Sequence, residues 1–191
     1  RADSPYKTIE ELVAAAKEKG NLKASTNGNK ASNHTAAQLL AKSAGFKYKA
    51  IPYGGTADQL LALRQGEVDF TCAKVADVAK LVKGDKPELR VLAVFNTKRD
   101  PELPNVPTLG EKGLYPEWYG SARALVAPKG TKPEVIQYYV EAFKKTMQDP
   151  AVIEAHKKAG MALDFKDNKE LGDLIKAQDK FARDVVNDLY K

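Results

Sequence analysis

The fold is decided by residues 22–44, which read LKASTNGNKASNHTAAQLLAKSA. A short apolar stretch at 22–25 leads into a loop of small polar residues, and the loop opens directly into an amphipathic helix at 33–44. Such a turn gathers backbone N–H groups and side-chain hydroxyls at the positive end of a helix dipole, where a carboxylate or phosphate oxygen fits. The stretch therefore predicts a strand–loop–helix unit that binds a small anion.

Strands and helices alternate on both sides of this stretch. Thr8 and Glu11 match a capping box for a helix that ends at Gly20, and a second capping box is predicted at Thr56 and Gln59. The predicted strands are 22–25, 46–51, 68–73 and 89–95, and the helices between them are 33–44, 56–66 and 75–82. This alternation predicts a parallel sheet covered by helices.

In sheets of this kind, ligands bind at the carboxyl ends of the strands. Polar turns at 25–33 and 52–56 both follow predicted strands, so we expect them at the same edge of the sheet. The residues that we predict to bind the ligand are Ser25, Thr26, Asn27, Gly28, Asn29, Ser32, His34, Tyr53, Gly54 and Lys74. Each also has a simpler interpretation: the loop residues as turn and capping residues, His34 as an anchor of the loop, and Lys74 as a solvated surface cation.

Residues 97–120 differ from the alternating part of the chain. Three prolines, Pro101, Pro104 and Pro107, exclude a regular element there, so we interpret the segment as an extended crossover into a second structural unit. Beyond it, the pattern predicts a strand at 122–127 and helices at 133–148, 150–159 and 169–190. The predicted core face of the helix at 133–148 consists of Val135, Ile136, Tyr139, Val140 and Phe143.

Composition excludes several classes of protein. The 191 residues are 43% hydrophobic and 29% charged, as in ordinary globular domains, and no apolar run is long enough to span a bilayer. The net charge of +6 is spread along the sequence instead of forming a basic stripe, which argues against nucleic-acid binding. A single cysteine, Cys72, rules out an internal disulfide framework and is predicted to be a buried, inert thiol.

The sequence also lacks catalytic motifs. It contains no P-loop, no dinucleotide-binding glycine motif, no Gly-x-Ser-x-Gly and no His-Glu-x-x-His. The pattern gives His34 no partner carboxylate or nucleophile for general-base work, and two histidines with one cysteine leave little for a metal site. The sequence therefore predicts a binding protein and not an enzyme, with no cofactor and no metal.

Several motifs occur in an order and spacing that belong to one family. They are DSPYKT at 3–8, GNKASNHTAA at 28–37, IPYGG at 51–55, QGEVD at 65–69, LRVLAV at 89–94, LPNVPTL at 103–109, LVAPKGT at 125–131 and the pair Asp149-Pro150. With them the chain resembles, over nearly its whole length, the extracytoplasmic solute-binding receptors of tripartite tricarboxylate transporters, the TctC or Bug family.

The resemblance implies an α/β fold of the type II periplasmic-binding-protein kind, in which two lobes of parallel or mixed sheets are flanked by helices. It implies that residues 1–96 form the second lobe, that 97–120 cross over, and that 121–191 are the C-terminal part of an incomplete first lobe. The chain begins at Arg1 without a leader, which we interpret as a processed product or a fragment.

A function follows from the same resemblance. Receptors of this family are periplasmic, close over a small organic carboxylate and deliver it to the membrane permease subunits of the transporter, without inserting into the membrane themselves. Two departures concern the site: Lys30 stands where the family has a glycine, and Gly54 follows Tyr53 where the family has a lysine. The residues alone leave two other functions open, an enzyme that holds an anionic cosubstrate at 25–34 and a sensory or interaction module derived from a binding protein.

Overall fold

The computed structural model describes residues 1–161 and 163–190, and the chain divides into two units, Arg1–Gly120 and Ser121–Lys191. The first unit contains α1 (Ile9–Lys19), β1 (Lys23–Thr26), α2 (Ser32–Ala44), β2 (Lys49–Pro52), α3 (Thr56–Gln65), β3 (Phe70–Thr71) and α4 (Val75–Val78). The second contains α5 (Pro133–Met147), α6 (Pro150–Lys158), α7 (Asn168–Phe181), a π-helical turn (Ala182–Val186) and α8 (Asn187–Leu189).

The three strands form one parallel sheet in the order β2-β1-β3. In the central strand, Ala24 lies opposite Ala50 of β2 and Phe70 of β3. The expected α/β fold with a parallel, helix-flanked sheet is confirmed. Because all three strands run in the same direction, the loops that follow them emerge at the same edge of the sheet.

Local signals in the sequence place the ends of the first helices. At α1, the Thr8 side chain accepts the Glu11 N–H and the Glu11 side chain accepts the Thr8 N–H, which completes the predicted capping box. Helices α1 and α2 end at Gly20 (φ 67°) and Gly45 (φ 71°), which adopt the left-handed conformation that a side chain disfavours. These predictions are confirmed.

Two clusters of buried side chains hold the first unit together. The larger one lies between α1, α2 and the sheet, where Leu12, Ala16 and Leu40 pack around Phe46 and Phe70. The smaller one forms around α3 and α4; its buried members are Leu60, Leu63, Val68, Val78 and Leu89. Leu109, 2% exposed, brings the proline-rich crossover into the larger cluster.

Two predicted strands are wrong. Of residues 89–95, only Val94 pairs, in an isolated parallel bridge with Thr108. The run is nevertheless packed against both clusters, because apolar character determines burial but does not supply a neighbouring strand. Residues 122–127 form no strand either, and Leu125 and Val126 there are 60% and 79% exposed.

Other elements form but differ in extent. The strand predicted at 68–73 pairs only at Phe70–Thr71, and the helix predicted at 75–82 ends at Val78. The helix predicted at 169–190 is interrupted by the π-helical turn Ala182–Val186. By contrast, Asp149 caps α6 as expected, because its carboxylate accepts the N–H groups of Ala151 and Val152.

The helices of the second unit bury none of their described side chains. The apolar face predicted for α5 exists, but it is not a core: Val135, Tyr139 and Phe143 are 40%, 48% and 41% exposed. The spacing of these residues predicts an amphipathic helix and says nothing about what covers its face. No helix in the described part of the chain combines the length and the apolar character needed to cross a membrane.

Two capping boxes, at the starts of α1 and α7, test whether stability resides in the first unit. Thr8→Ala should lower the free energy of unfolding by about 1 kcal/mol, because α1 packs four side chains into the larger cluster. Asp167→Ala removes the matching box of α7, which buries nothing, and should leave the unfolding of the first unit unchanged. Urea unfolding followed by fluorescence of Trp118, the single tryptophan, measures both. Equal losses in the two variants would contradict this view.

Candidate anion site at the carboxyl edge of the sheet

Three loops meet where the strands end. They are 27–31 between β1 and α2, 53–55 between β2 and α3, and 72–74 between β3 and α4, and we call them the carboxyl-edge loops. The Tyr53 N–H donates to Thr26 O at 2.9 Å, which joins the second loop to the start of the first. The parallel sheet therefore brings together the segments that the sequence predicted to share an edge.

Side chains at the end of β1 are used to hold the first loop. Ser25 and Thr26 are both 0% exposed. The Thr26 hydroxyl donates to Gly28 O at 3.2 Å, and the Asn33 N–H donates to Asn27 Oδ1 at 3.3 Å. In this conformation the Thr26 hydroxyl and the Asn27 side chain shape the loop, whereas the Ser25 hydroxyl donates to Gln59 O in α3. Direct contact between these side chains and a ligand stays a prediction.

The next part of the loop turns at Lys30, which has a φ of 58°. The left-handed region is strained for a residue with a side chain. His34 holds the turn in place, because its Nδ1 accepts the Lys30 N–H at 2.9 Å. His34 therefore anchors the loop, which was one of its two predicted roles.

Helix α2 begins at Ser32, and its first turn faces this loop. The N-cap residue is Ala31, which has no side chain able to cap the helix. By helix geometry the N–H groups of the first turn have no carbonyl partner within the helix, and they carry its partial positive charge. Asn29 and Ser32 are exposed beside them. This arrangement suits a small anion.

Gln59 has a different role from the predicted one. Helix α3 is capped by Gly55 without a side-chain bond, so the capping box predicted at Thr56 and Gln59 is wrong. Gln59 is instead fully buried and hydrogen-bonds to Asn33 and to residues at the ends of β1 and β3. A polar residue on the face that also carries Leu60 and Leu63 was the signal for this role in the sequence.

The remaining predicted site residues lie at the edge but contribute differently. The Tyr53 hydroxyl donates to Glu67 at 2.9 Å, in the turn between α3 and β3, so the part of Tyr53 that joins the first loop is its backbone. Gly54 is exposed in the same turn. Lys74 is exposed at the N-cap of the four-residue helix α4, at the end of the third loop.

One residue near the site was not predicted to belong there. The hydroxyl of Tyr119, at the end of the crossover, donates to Ser32 O at 3.2 Å. Tyr119 also packs edge-on against Phe95, with ring centroids 6.1 Å apart. No local pattern places residue 119 beside residue 32, because the contact depends on the path of the whole crossover.

Burial shifts the pKa values of two groups at this edge, the Cys72 thiol and the His34 ring. Burial raises the pKa of the Cys72 thiol to about 12, so the thiolate needed for nucleophilic attack is scarce at neutral pH. Burial also lowers the pKa of His34, which favours the neutral ring that accepts the Lys30 N–H. Within the described residues, no group of three or more His, Cys, Asp or Glu side chains is placed to hold a metal ion.

A groove of about 420 Å³ lies elsewhere, between the C-terminal ends of α1 and α2. Its floor includes Ala16, Ala41 and Phe46, and its rim carries Lys17, Lys42 and Lys47. The carbonyl ends of two helices give it partial negative charge, which the lysines offset. The groove is therefore a weaker candidate for an anion than the N-terminus of α2.

Comparison with known sequences shows the family of the chain. Residues 1–189 match the sequence profile of the tripartite tricarboxylate transporter family receptor, TctC. The chain belongs to the TctC family. A Cupriavidus necator relative, described as a UPF0065 protein in the gbd 5′ region, is 38% identical over 150 residues, which are 78% of this chain and 45% of the relative. The chain spans about half the length of the curated relatives it matches.

Solved structures show the same fold. A TctC solute-binding protein from Polaromonas, solved without ligand, has a TM-score of 0.86 at 28% identity over 98% of this chain and 64% of its own. An R. palustris protein solved with adipate has a TM-score of 0.78 at 22% identity, over 95% and 62% of the two chains. MatC from Rhodopseudomonas palustris, solved with malate, has a TM-score of 0.60 at 20% identity, over 82% and 53%. The fold is that of the TctC periplasmic binding proteins, and the family is one of solute-binding receptors rather than enzymes.

The strain at Lys30 predicts an unusual order of stability. Lys30→Gly should be more stable than Lys30→Ala by about 1 kcal/mol, because only glycine adopts a φ of 58° without cost. Both variants lack the lysine side chain, so the comparison isolates the backbone. Urea unfolding measures the difference. At ordinary positions alanine is the more stable of the two, and that result here would contradict backbone strain.

His34 predicts a pH dependence of stability. Because burial lowers its pKa below the ordinary value of 6.5, the unfolded chain binds the proton more readily than the folded one. The stability that neutral His34 provides is therefore complete above pH 6.5 and declines as the pH falls below it, until the pKa of the folded state is passed. In His34→Gln this decline should disappear from unfolding measured between pH 5 and 8. His156→Gln is the control, and a wild-type profile that already matches His34→Gln would refute the assignment.

Proposed function

We propose that the chain is the ligand-binding part of a periplasmic receptor that captures a small organic carboxylate and delivers it to the membrane subunits of a tripartite tricarboxylate-type transporter. The observation that carries the proposal is the first turn of α2, which follows the central strand through a polar loop and receives no side-chain hydrogen bond from its N-cap residue, Ala31. A carboxylate would accept hydrogen bonds from the N–H groups of that turn. The adipate and malate bound to two proteins of this fold support the ligand class.

The residues assigned to the carboxylate contribute in three ways. Backbone N–H groups at Gly28, Asn29 and Ser32 face the carboxylate, because those of Lys30, Ala31 and Asn33 are donated within the loop. Asn29 and Ser32 also supply exposed polar side chains. Thr26, Asn27 and His34 hold the loop in shape, and Ser25 joins the end of β1 to α3. The Tyr53–Gly54 turn and Lys74 lie at the edges of the site, where Lys74 offers a cation to a second carboxylate group.

We further propose that residues 1–96 form one lobe and that 121–191 form part of the other. The exposed apolar faces of α5, α6 and α7 support this assignment, because such faces are normally covered in a folded lobe. Relatives about twice as long as the matched region have the additional polypeptide to cover them. A carboxylate held on one lobe would then be enclosed when the second closes over it.

A catalytic role for the same loop has less support. His34, in the first turn of α2, uses Nδ1 to accept the Lys30 N–H, and burial raises the pKa of the Cys72 thiol to about 12. Neither group is placed as a base or nucleophile in the described structure. A binding role needs only the N–H groups and polar side chains that the loop presents.

Thermal shift tests the proposal with mono-, di- and tricarboxylates and with phosphate. The proteins are this chain and a chimera that adds the part of the Polaromonas protein without a counterpart here. At a ligand concentration of one hundred Kd, binding adds about 2.7 kcal/mol, or roughly 5–10 °C in Tm. A shift in the chimera alone would support a site shared between lobes, and shifts in both would support a loop that binds by itself. The absence of a shift in both would refute the carboxylate assignment for the ligands tested.

A pair of variants that each add one negative charge tests whether the carboxylate binds at the loop. Asn29→Asp places a carboxylate beside the first turn of α2 and should weaken binding of a dicarboxylate about tenfold or more. Asn168→Asp makes the same change at the exposed first residue of α7 and should leave the affinity unchanged. Isothermal titration with adipate compares them. Equal affinities in the two variants would place the carboxylate away from α2.

A further inference from the structure

The buried side-chain amide of Gln59 connects three parts of the candidate site: helix α2, the end of β1 and the loop after β3. Gln59 lies in the first turn of α3 and is 0% exposed. Its Oε1 accepts the Asn33 Nδ2–H at 2.8 Å, which links it to the first turn of α2. Its Nε2 donates to Cys72 O at 2.8 Å and also lies 3.3 Å from Ser25 O. One side chain therefore contacts α2, the end of β1 and the loop after β3.

Thr71 completes the arrangement. The Gln59 Nε2 donates to the Thr71 hydroxyl oxygen, and that hydroxyl donates in turn to Ser25 O at 2.8 Å. In the reverse direction, the Ser25 hydroxyl donates to the main-chain Gln59 O at 3.0 Å. The ends of β1 and β3 are thus joined by side-chain hydrogen bonds at the last pair of their backbone ladder, Ser25 and Thr71.

The connection continues from Gln59 into the loop itself. Asn33, 5% exposed, donates its side-chain amide to Gln59 and its backbone N–H to Asn27 Oδ1. Asn33 therefore links the Gln59 side chain, through its own side chain, to the Asn27 side chain, through its backbone N–H, and so connects the buried sheet edge to the loop between β1 and α2. Buried polar networks of this kind hold a single geometry when every member is paired, and leaving a member unpaired is costly.

We propose that Gln59 is a positioning residue of the carboxylate site, which fixes the loop at 27–31 relative to the loop at 72–74 before any ligand arrives. The proposal rests on the function proposed above. Gln59 does not contact the ligand; it acts through Asn33 and Asn27 on one side and through Cys72 O on the other. Rigid loops cost less to order when a ligand binds, so the network raises affinity by preorganisation.

Amide hydrogen exchange in the ligand-free chain is the first test. Gln59→Met keeps the volume and the apolar contacts of α3 but removes every side-chain hydrogen bond. We expect exchange at least about tenfold faster in 27–33 and 72–75, with little change in α1. Leu63→Ala is the control, because it destabilises the same helix through a cavity (Leu63 is 5% exposed) without touching the network. If Leu63→Ala and Gln59→Met accelerate the same amides equally, Gln59 has no positioning role.

A double variant separates positioning from stability. Gln59→Met leaves the Asn33 amide buried and unpaired, whereas Gln59→Met with Asn33→Leu replaces both partners by apolar groups and should recover much of the lost Tm. The loops should still exchange about tenfold faster than in the wild type. Recovery of slow loop exchange together with Tm would show that Gln59 matters only for stability, and would overturn the proposal.

Adipate binding provides the functional readout, measured by isothermal titration in whichever protein, chain or chimera, binds it. The double variant should bind adipate at least about tenfold more weakly than the wild type, while Leu63→Ala retains wild-type affinity well below its Tm. Wild-type affinity in the double variant would overturn the positioning role. If no wild-type protein binds adipate, the carboxylate assignment fails for that ligand, and hydrogen exchange alone still decides whether Gln59 fixes the loops.

Discussion

Parallel pairing of β1 with both of its neighbours is the constraint on which the site depends. Because β1 is central and all three strands run the same way, the loops after β1, β2 and β3 are brought to one edge without any contact between distant helices. The sheet is small, with two rungs between β1 and β3. Side-chain hydrogen bonds from Gln59 and Thr71 extend this short ladder at the point where a ligand would bind.

Features that depend on neighbouring residues were predictable from the sequence. The capping box at Thr8, the glycine stops at Gly20 and Gly45 and the Asp149 cap all involve residues within a few positions of each other. The polar loop after β1 was predictable for the same reason. Its position at the edge of the sheet followed from a general property of parallel α/β folds.

Features that depend on distant partners were not predictable. Residues 89–95 have the composition of a strand, yet only Val94 finds a backbone partner, at Thr108. Gln59 matched a capping pattern, but its partners Asn33 and Cys72 lie 26 and 13 positions away in the sequence. The role of Tyr119 beside Ser32 depends on a separation of 87 positions. In each case the local pattern gave the residue type a plausible role, and the tertiary contact determined the actual one.

The exposed apolar segment at residues 121–127 affects the solubility of the protein. The segment reads SARALVA and has one charged side chain, and its Leu125 and Val126 are 60% and 79% exposed. Exposed apolar segments with few charges can pair with strands of other molecules. Intermolecular β-sheet growth from this segment would limit solubility despite the net charge of +6, because that charge is spread along the chain and only Arg123 lies within the segment.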